Sequence, residues 1–141
     1  MVMIPYKELL FIKGSIMAEK HQEIVEKVRV DWTAKKRGVL FCNNQMNVKY
    51  RKRYIYAGLG RGTADLVGIE KPSGTWASIE VKTFGDWLDE KQIKHCKHVL
   101  ENGGNYYLAL EILNGYILEP IYKLSDLDTV KANWRQIWEK S

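Results

Sequence analysis

Apolar residues recur near a helical period between Ala18 and Lys36. Ile24, Val25, Val28 and Trp32 are separated by Glu and Lys, which predicts a first helix with one buried stripe. Gly38 closes it, after Lys35, Lys36 and Arg37 place cations at its carbonyl end. Residues 1–16 show no clean period, and Met17 is a second possible start, so they are expected to be a leader or a loosely held tail. The period then shortens. Val39-Leu40-Phe41-Cys42 reads as a short buried strand, and the polar, basic and aromatic stretch Asn43 to Tyr56 as a loop or ragged strand. Gly58, Gly60 and Gly62 make a flexible turn. Asp65 to Ile69 and Trp76 to Thr83 are two strands, joined by the turn residues Glu70-Lys71-Pro72-Ser73-Gly74.

The second half repeats the alternation on a larger scale. Asp86 to Glu101 is predicted helical, with Leu88, Ile93, Cys96, Val99 and Leu100 as its apolar stripe and Asn102-Gly103-Gly104 as its stop. Tyr106 to Ile112 and Tyr116 to Leu118 are strands around the hairpin signal Asn114-Gly115. Ser125 caps a last helix that buries Leu127, Val130, Trp134, Ile137 and Trp138. This order of elements is mixed α/β in one layered system, and 141 residues suffice for one domain, 17–141, with a real core.

Composition narrows the class. Apolar residues at 45% and charged residues at 28% exclude a disordered or collagen-like chain. The apolar stretches fall short of the ~20 residues of a membrane span, and two cysteines suit a reducing, cytoplasmic setting. The distribution of charge is more telling than the net +5. From Lys35 to Ala64 there are eight basic residues and no Asp or Glu, so the rest of the chain is net negative. An acid-free basic stretch running into carboxylates suits a polyanion held beside a metal-binding group; a solvated basic loop is the alternative.

Glu80-Val81-Lys82 lies in a predicted strand, so Glu80 and Lys82 share one face while Val81 points to the other. Alone, that pair reads as a surface ion pair. Pairing of the two strands as a hairpin changes this, because the start of the first then lies beside the end of the second and Asp65 faces Glu80 and Lys82. Two such carboxylates repel unless a cation sits between them, and hard oxygen ligands select Mg²⁺ or Mn²⁺. Mg²⁺ keeps waters, one of which can serve as nucleophile with Lys82 orienting or activating it.

With these residues in place, 19–112 resembles the VRR-NUC branch of the PD-(D/E)XK nuclease superfamily, in particular its small stand-alone phage and bacterial members. The matching stretches are Gly58 to Gly68 (GLGRGTADLVG), Ile79-Glu80-Val81-Lys82-Thr83, Gln92 and Gly103-Gly104. The resemblance implies a restriction-endonuclease-like αβββαβ core, a central mixed sheet flanked by helices, with an added C-terminal helix. It implies that Asp65, Glu80 and the Val81 carbonyl bind metal, that Lys82 is the catalytic lysine, and that Gln92 sits near the active centre. It also implies a metal-binding glutamate from the first helix, for which Glu23 is taken, with Glu19 and Glu26 as rivals. Phe84-Gly85-Asp86-Trp87-Leu88 departs from the family's usual loop, leaving Asp86 and Trp87 without an assigned role.

Further positions complete the expectation. Lys49, Arg51, Lys52, Arg53 and Arg61 interleave with Tyr50, Tyr54 and Tyr56, a pattern suited to phosphate pairing and base stacking. Asn43 and Asn44 could reach phosphate or the active centre, or cap a strand end; Asn44 is placed with the nucleic-acid contacts. His95-Cys96 and His98 resemble a zinc pattern, but neighbouring helix positions point apart. The function expected is a Mg²⁺-dependent deoxyribonuclease, cytoplasmic, acting on branched or junction DNA as a homodimer. The rivals are a nucleic-acid-binding module without turnover and a nuclease subunit of a larger recombination or restriction complex.

Overall fold

A computed structural model describes residues 6–44 and 46–140. The chain forms α1 (Tyr6–Ala34), β1 (Gly38–Cys42), β2 (Met46–Tyr50), β3 (Arg53–Ala57), β4 (Leu66–Glu70), β5 (Thr75–Lys82), α2 (Glu90–Glu101), β6 (Asn105–Ile112), β7 (Gly115–Ile121) and α3 (Asp126–Lys140). Five strands make one mixed sheet in the order β1-β4-β5-β6-β7, and β2 and β3 form a separate two-stranded ribbon. Only β5 and β6 are parallel, which requires the crossover that α2 supplies. This is the expected restriction-endonuclease-like arrangement, sheet flanked by helices with a C-terminal helix.

Strand alternation sends two rows of side chains to opposite faces, and each face has its own core. Ala77, Ile79 and Val81 of β5 pack with Tyr107 and Ala109 of β6 against Ile24, Val25, Val28 and Trp32 of α1. Tyr106, Leu108 and Leu110 pack on the other face against Cys96 and Val99 of α2 and Leu127 and Trp134 of α3. The β5 row on this second face is Ser78, Glu80 and Lys82, all buried. An apolar side chain buried at such a position would contribute about 1.5–3 kcal/mol. The centre of the sheet forgoes that stabilisation three times in succession.

Several boundaries differ from those read in the sequence. Residues 6–16 are helical and continuous with α1; Lys7 to Leu10 and Met17 to Lys20 are strong helix formers, and Gly14 costs only about 1 kcal/mol within them. Residues 1–5 lie outside the described residues. The stretch read as a loop or ragged strand is the β2–β3 ribbon, Tyr50 pairing with Arg53 across an Arg51-Lys52 turn. Helix α2 begins at Glu90 rather than Asp86, because Asp89 caps it. The Asp89 carboxylate accepts from the Gln92 N–H at 2.8 Å, and the Gln92 side chain accepts from the Asp89 N–H at 3.0 Å. Ile137, expected in the core, is 38% exposed on α3.

Candidate active site

Residues from four elements converge where β4 begins and β5 ends. Leu66 pairs with Ile79, so the register carried one step further sets Asp65 opposite Glu80. The Val81 N–H donates to Asp65 Oδ2 at 2.8 Å, and the Asp65 carbonyl accepts from the Asn43 N–H at 2.8 Å. From α2, Gln92 reaches both members of the β5 pair. Its Nε2 donates to Glu80 Oε1 at 2.8 Å, and its Oε1 accepts from Lys82 Nζ at 3.0 Å. Lys82 Nζ also lies 3.6 Å from Glu80 Oε1 and 3.5 Å from Asp86 Oδ2. Asn43, Gly62, Thr63, Asp65, Glu80 and Gln92 line a cavity of about 300 Å³.

The glycine turn seats this wall. Gly62 has φ +86°, and a Cβ there would stand 2.4 Å from the Lys91 carbonyl oxygen. Only glycine lets the loop lie against the start of α2. At the other side of the site, aromatic packing holds the loop that carries Asp86. Phe84 stacks on Trp134 at 5.9 Å between ring centres and meets Trp138 edge-on at 5.7 Å. Trp87 packs on Trp134 at 6.1 Å, with Lys131 over its ring. Asp86 and Trp87, unassigned in the sequence, are thus a lysine partner and an anchor to α3.

The electrostatics are unbalanced. Burial, and then the neighbouring Asp65 carboxylate, push the Glu80 carboxyl well above the usual glutamate range, with Lys82 opposing. Glu80 Oε2 is buried and has no hydrogen-bond partner. From α1, His21 Nε2 lies 3.3 Å from Asp65 Oδ2, and that contact raises the imidazole above its ordinary value against the opposing effect of burial. In this site a buried carboxylate oxygen therefore stands unpartnered beside a second carboxylate, with a lysine and an amide already oriented around them.

The structure brings together Asp65, Glu80, Val81, Lys82 and Gln92. It does not bring Glu23 to them. Glu23 is exposed and pairs with Lys20 at 3.7 Å, Glu19 is exposed, and Glu26 is bound by Arg29 at 2.8 Å. Helical phase explains this. At 100° per residue, His21 falls at about the centre of the stripe made by Ile24, Val25, Val28 and Trp32, whereas the three glutamates are about 145° or more away. That phase was readable from the chain, and it places His21 on the stripe of α1 that faces the sheet. Lys49, Arg51, Lys52 and Arg53 are exposed along the ribbon and its turn, and Arg61 is exposed on the glycine turn. The side chains of Tyr50, Tyr54 and Tyr56 lie outside the described residues. Asn44 is exposed, while Asn43 clamps the loop, its Nδ2 donating to the Ala64 carbonyl at 3.2 Å. The zinc pattern dissolves: Cys96 is in the core, His95 Nε2 is 3.0 Å from Ser78 Oγ, and His98 is exposed.

Among families, the VRR-NUC domain matches residues 12–110. No curated protein matches the chain. No helix among the described residues is long and apolar enough to cross a membrane. The match spans more than half of the chain and contains every residue of the cavity, and the chain belongs to the VRR-NUC family.

Proposed function

From that membership, which carries a nuclease-type function, we propose that this protein is a Mg²⁺-dependent deoxyribonuclease that hydrolyses phosphodiester bonds within DNA, with a preference for branched substrates, and acts as a homodimer. The observation that carries the reading is the buried, unpartnered Glu80 Oε2 beside Asp65, with Lys82 and Gln92 in the same contact set.

The residues present fit a hard divalent cation. Among the described residues no three His, Cys, Asp or Glu side chains form a metal-binding cluster. Two carboxylates with a backbone carbonyl suit Mg²⁺, which retains several waters and needs few protein ligands. Asp65 and Glu80 supply the carboxylates. The Val81 N–H points toward Asp65, and in an extended strand the carbonyl of a residue points to the same edge as its N–H. That edge of β5 is free of β4, whose ladder stops at the Leu66–Ile79 pair.

Bound there, the cation supplies charge neutralisation at the phosphate and a more acidic water. The protein's own groups do the rest. Lys82, held by Gln92 and Glu80, presents its ammonium to the attacking water and to the negative charge that grows on the phosphoryl oxygens. Gln92 fixes both the lysine and the carboxylate, so neither must reorganise when substrate arrives. Water attacks phosphorus, the bond to O3′ breaks, and O3′ takes up a proton, leaving a 5′-phosphate and a 3′-hydroxyl. Lys49, Arg51, Lys52, Arg53, Arg61 and Asn44 offer exposed donors to phosphates away from the scissile bond.

The test is a cleavage panel. End-labelled four-way junction, flap, nicked duplex, intact duplex and single strands are incubated with Mg²⁺, Mn²⁺ or chelator. Cleavage of a branched substrate within its strands, dependent on metal, is expected. Binding without turnover on every substrate would replace the enzyme with a binding module.

A further inference from the structure

A second cavity, of about 480 Å³, runs from the catalytic one along the exposed side of α2. Thr63 lines both. Arg61 forms one wall of the second cavity and Lys91 and Lys94 the other, with His95 and His98 at its far end. Those two histidines also border a third depression, of about 240 Å³, whose other wall is Trp76. Three depressions thus share walls in sequence, from the catalytic carboxylates to an exposed indole.

We propose that this path holds a single-stranded DNA arm of the substrate, its phosphates against Arg61, Lys91 and Lys94 and one of its bases stacked on Trp76. The proposal rests on the nuclease reading above and names the feature of the substrate that the site selects. Charge supports it first. Lys91, Lys94 and His98 fall at i, i+3 and i+7, one stripe of α2. The side chains of Lys91 and Lys94 have no ion-pair or hydrogen-bond partner among the described residues, whereas Lys97 on another face is paired with Glu101 at 3.8 Å. No Asp or Glu lines the second cavity. The tight seat of Gly62 on Lys91 holds Arg61 beside this stripe.

Trp76 supplies the second argument. It is 45% exposed, yet its ring is fixed: Nε1 donates to Ser78 Oγ at 2.8 Å, and Ser78 Oγ is 3.0 Å from His95 Nε2. A large aromatic face held rigid and open to solvent is a stacking platform, and stacking requires a base whose own face is free, as in a single strand. Trp76 and Glu80 lie on the same face of β5, four residues and so about 13 Å apart. At about 3.4 Å per stacked nucleotide that is about four steps, and fewer when the strand is extended. Val39 and Ile69 are exposed in the same row of the sheet as Trp76, and a protein partner is the competing occupant. The cationic approach, free of acids, favours the nucleic acid.

The experiment uses full-length wild-type protein in chelator, so that nothing is cut, and fluorescent duplexes carrying 3′ or 5′ arms of zero to six nucleotides. Affinity should rise about tenfold once an arm of one polarity reaches about two to four nucleotides. Trp76→Ala should abolish that rise and Trp76→Phe should keep most of it. Lys91→Ala with Lys94→Ala should flatten the salt dependence of armed-substrate binding by about one to two units of log K against log salt. A 2-aminopurine in the arm of wild-type complexes should be quenched at one position only, a readout that stands even if Trp76→Ala does not fold. Affinity independent of arm length, or arm dependence that survives Trp76→Ala, would overturn the proposal. So would a Trp76→Ala change confined to sedimentation mass, which would make the indole a protein contact. Cleavage in the metal panel without arm dependence removes this groove and leaves the nuclease standing. Arm-dependent binding with no cleavage of any substrate removes the nuclease reading and leaves the groove.

Discussion

Strand β4 has a carboxylate at each end, and the two are treated in opposite ways. Glu70 is its last residue. Its Oε1 accepts from Arg37 at 3.2 Å and from the Tyr107 hydroxyl at 2.9 Å, and its Oε2 accepts from Asn105 at 2.6 Å and from Tyr107 at 2.8 Å. Arg37 in turn lies over the Trp32 ring at 4.3 Å, tying α1 to the sheet. Burial, and then these bonds to Glu70, push the Tyr107 hydroxyl up to about 12. At the other end Asp65 and Glu80 share one neighbourhood with Lys82, whose ammonium is also claimed by Asp86, and Glu80 Oε2 is left without a partner. Both ends set a carboxylate beside a cationic and an amide side chain, Arg37 and Asn105 at one and Lys82 and Gln92 at the other. One end is saturated with donors and locks three elements together; the other is short of donors and keeps a place for a cation and a phosphate.

The sharpest way to break that contrast is to remove each carboxylate and ask what is lost. Asp65→Ala and Glu80→Ala should each lower metal-dependent cleavage by at least about a thousandfold, about 4 kcal/mol of transition-state stabilisation, while DNA binding is retained or tightened. Cleavage surviving either change at near the wild-type rate would end the assignment of this end of β4 as catalytic. Lys82→Met keeps most of the stem and removes the charge. It should cost about a hundredfold or more in rate with metal affinity unchanged, because an ammonium is not a ligand. Metal titration followed by single-turnover cleavage separates the two roles, and loss of metal binding in a folded variant would reassign Lys82.

At the other end the loss should be of stability. Glu70→Ala leaves Arg37, Asn105 and Tyr107 without their common acceptor, and removal of one partner from a part-buried charged cluster costs about 3 kcal/mol. Urea unfolding should show it as a lower midpoint with little change in slope. A midpoint within experimental error of wild type would mean that water replaces Glu70 and that the saturated end does not hold α1 to the sheet.

This contrast was only half visible in the chain. Asp65, Glu80 and Lys82 could be placed on one face because a two-residue period and a turn-rich junction fix how neighbouring strands pair. Glu70 could not, since it was read as a turn residue, and its partners come from Arg37, Asn105 and Tyr107, on elements whose mutual position no local pattern encodes. Gln92 came from the family resemblance, and the structure supplies the reason for it in a capping box that turns the amide toward Glu80 and Lys82. His21 is legible only in the helical phase of α1, because the family resemblance points to a glutamate on that helix. The β2–β3 ribbon was legible in part: Met46, Val48 and Tyr50 alternate with Asn47 and Lys49 at the period of a strand, and the basic cluster Arg51-Lys52-Arg53 at its turn obscures the pairing. Trp76, Ser78 and His95 link through hydrogen bonds between β5 and α2, and such a link has no sequence spacing at all.

The smallest expected effect discriminates best between the two ends. Glu80→Gln keeps shape and hydrogen-bonding capacity but removes the charge. The folded protein holds the Glu80 carboxyl well above its unfolded value, so its contribution to stability is fully present below the unfolded value of about 4.3 and is lost as pH rises through the folded one. At neutral pH in metal-free buffer the buried carboxyl must either be desolvated as an anion or be kept protonated against the solution pH, and both oppose folding; the amide should raise stability by about 1–2 kcal/mol, several degrees in melting temperature. Near pH 4 the two proteins should melt together, and the gap should open as pH increases. Glu70→Gln runs the other way: it removes the negative charge that matches Arg37 and offers two unwanted donors to Asn105 and Tyr107, so the melting temperature should fall at neutral pH. A Glu80→Gln protein less stable than wild type at pH 7 without metal would show that Lys82 and Gln92 compensate the charge in full. The two ends of β4 would then differ in geometry and not in electrostatic strain.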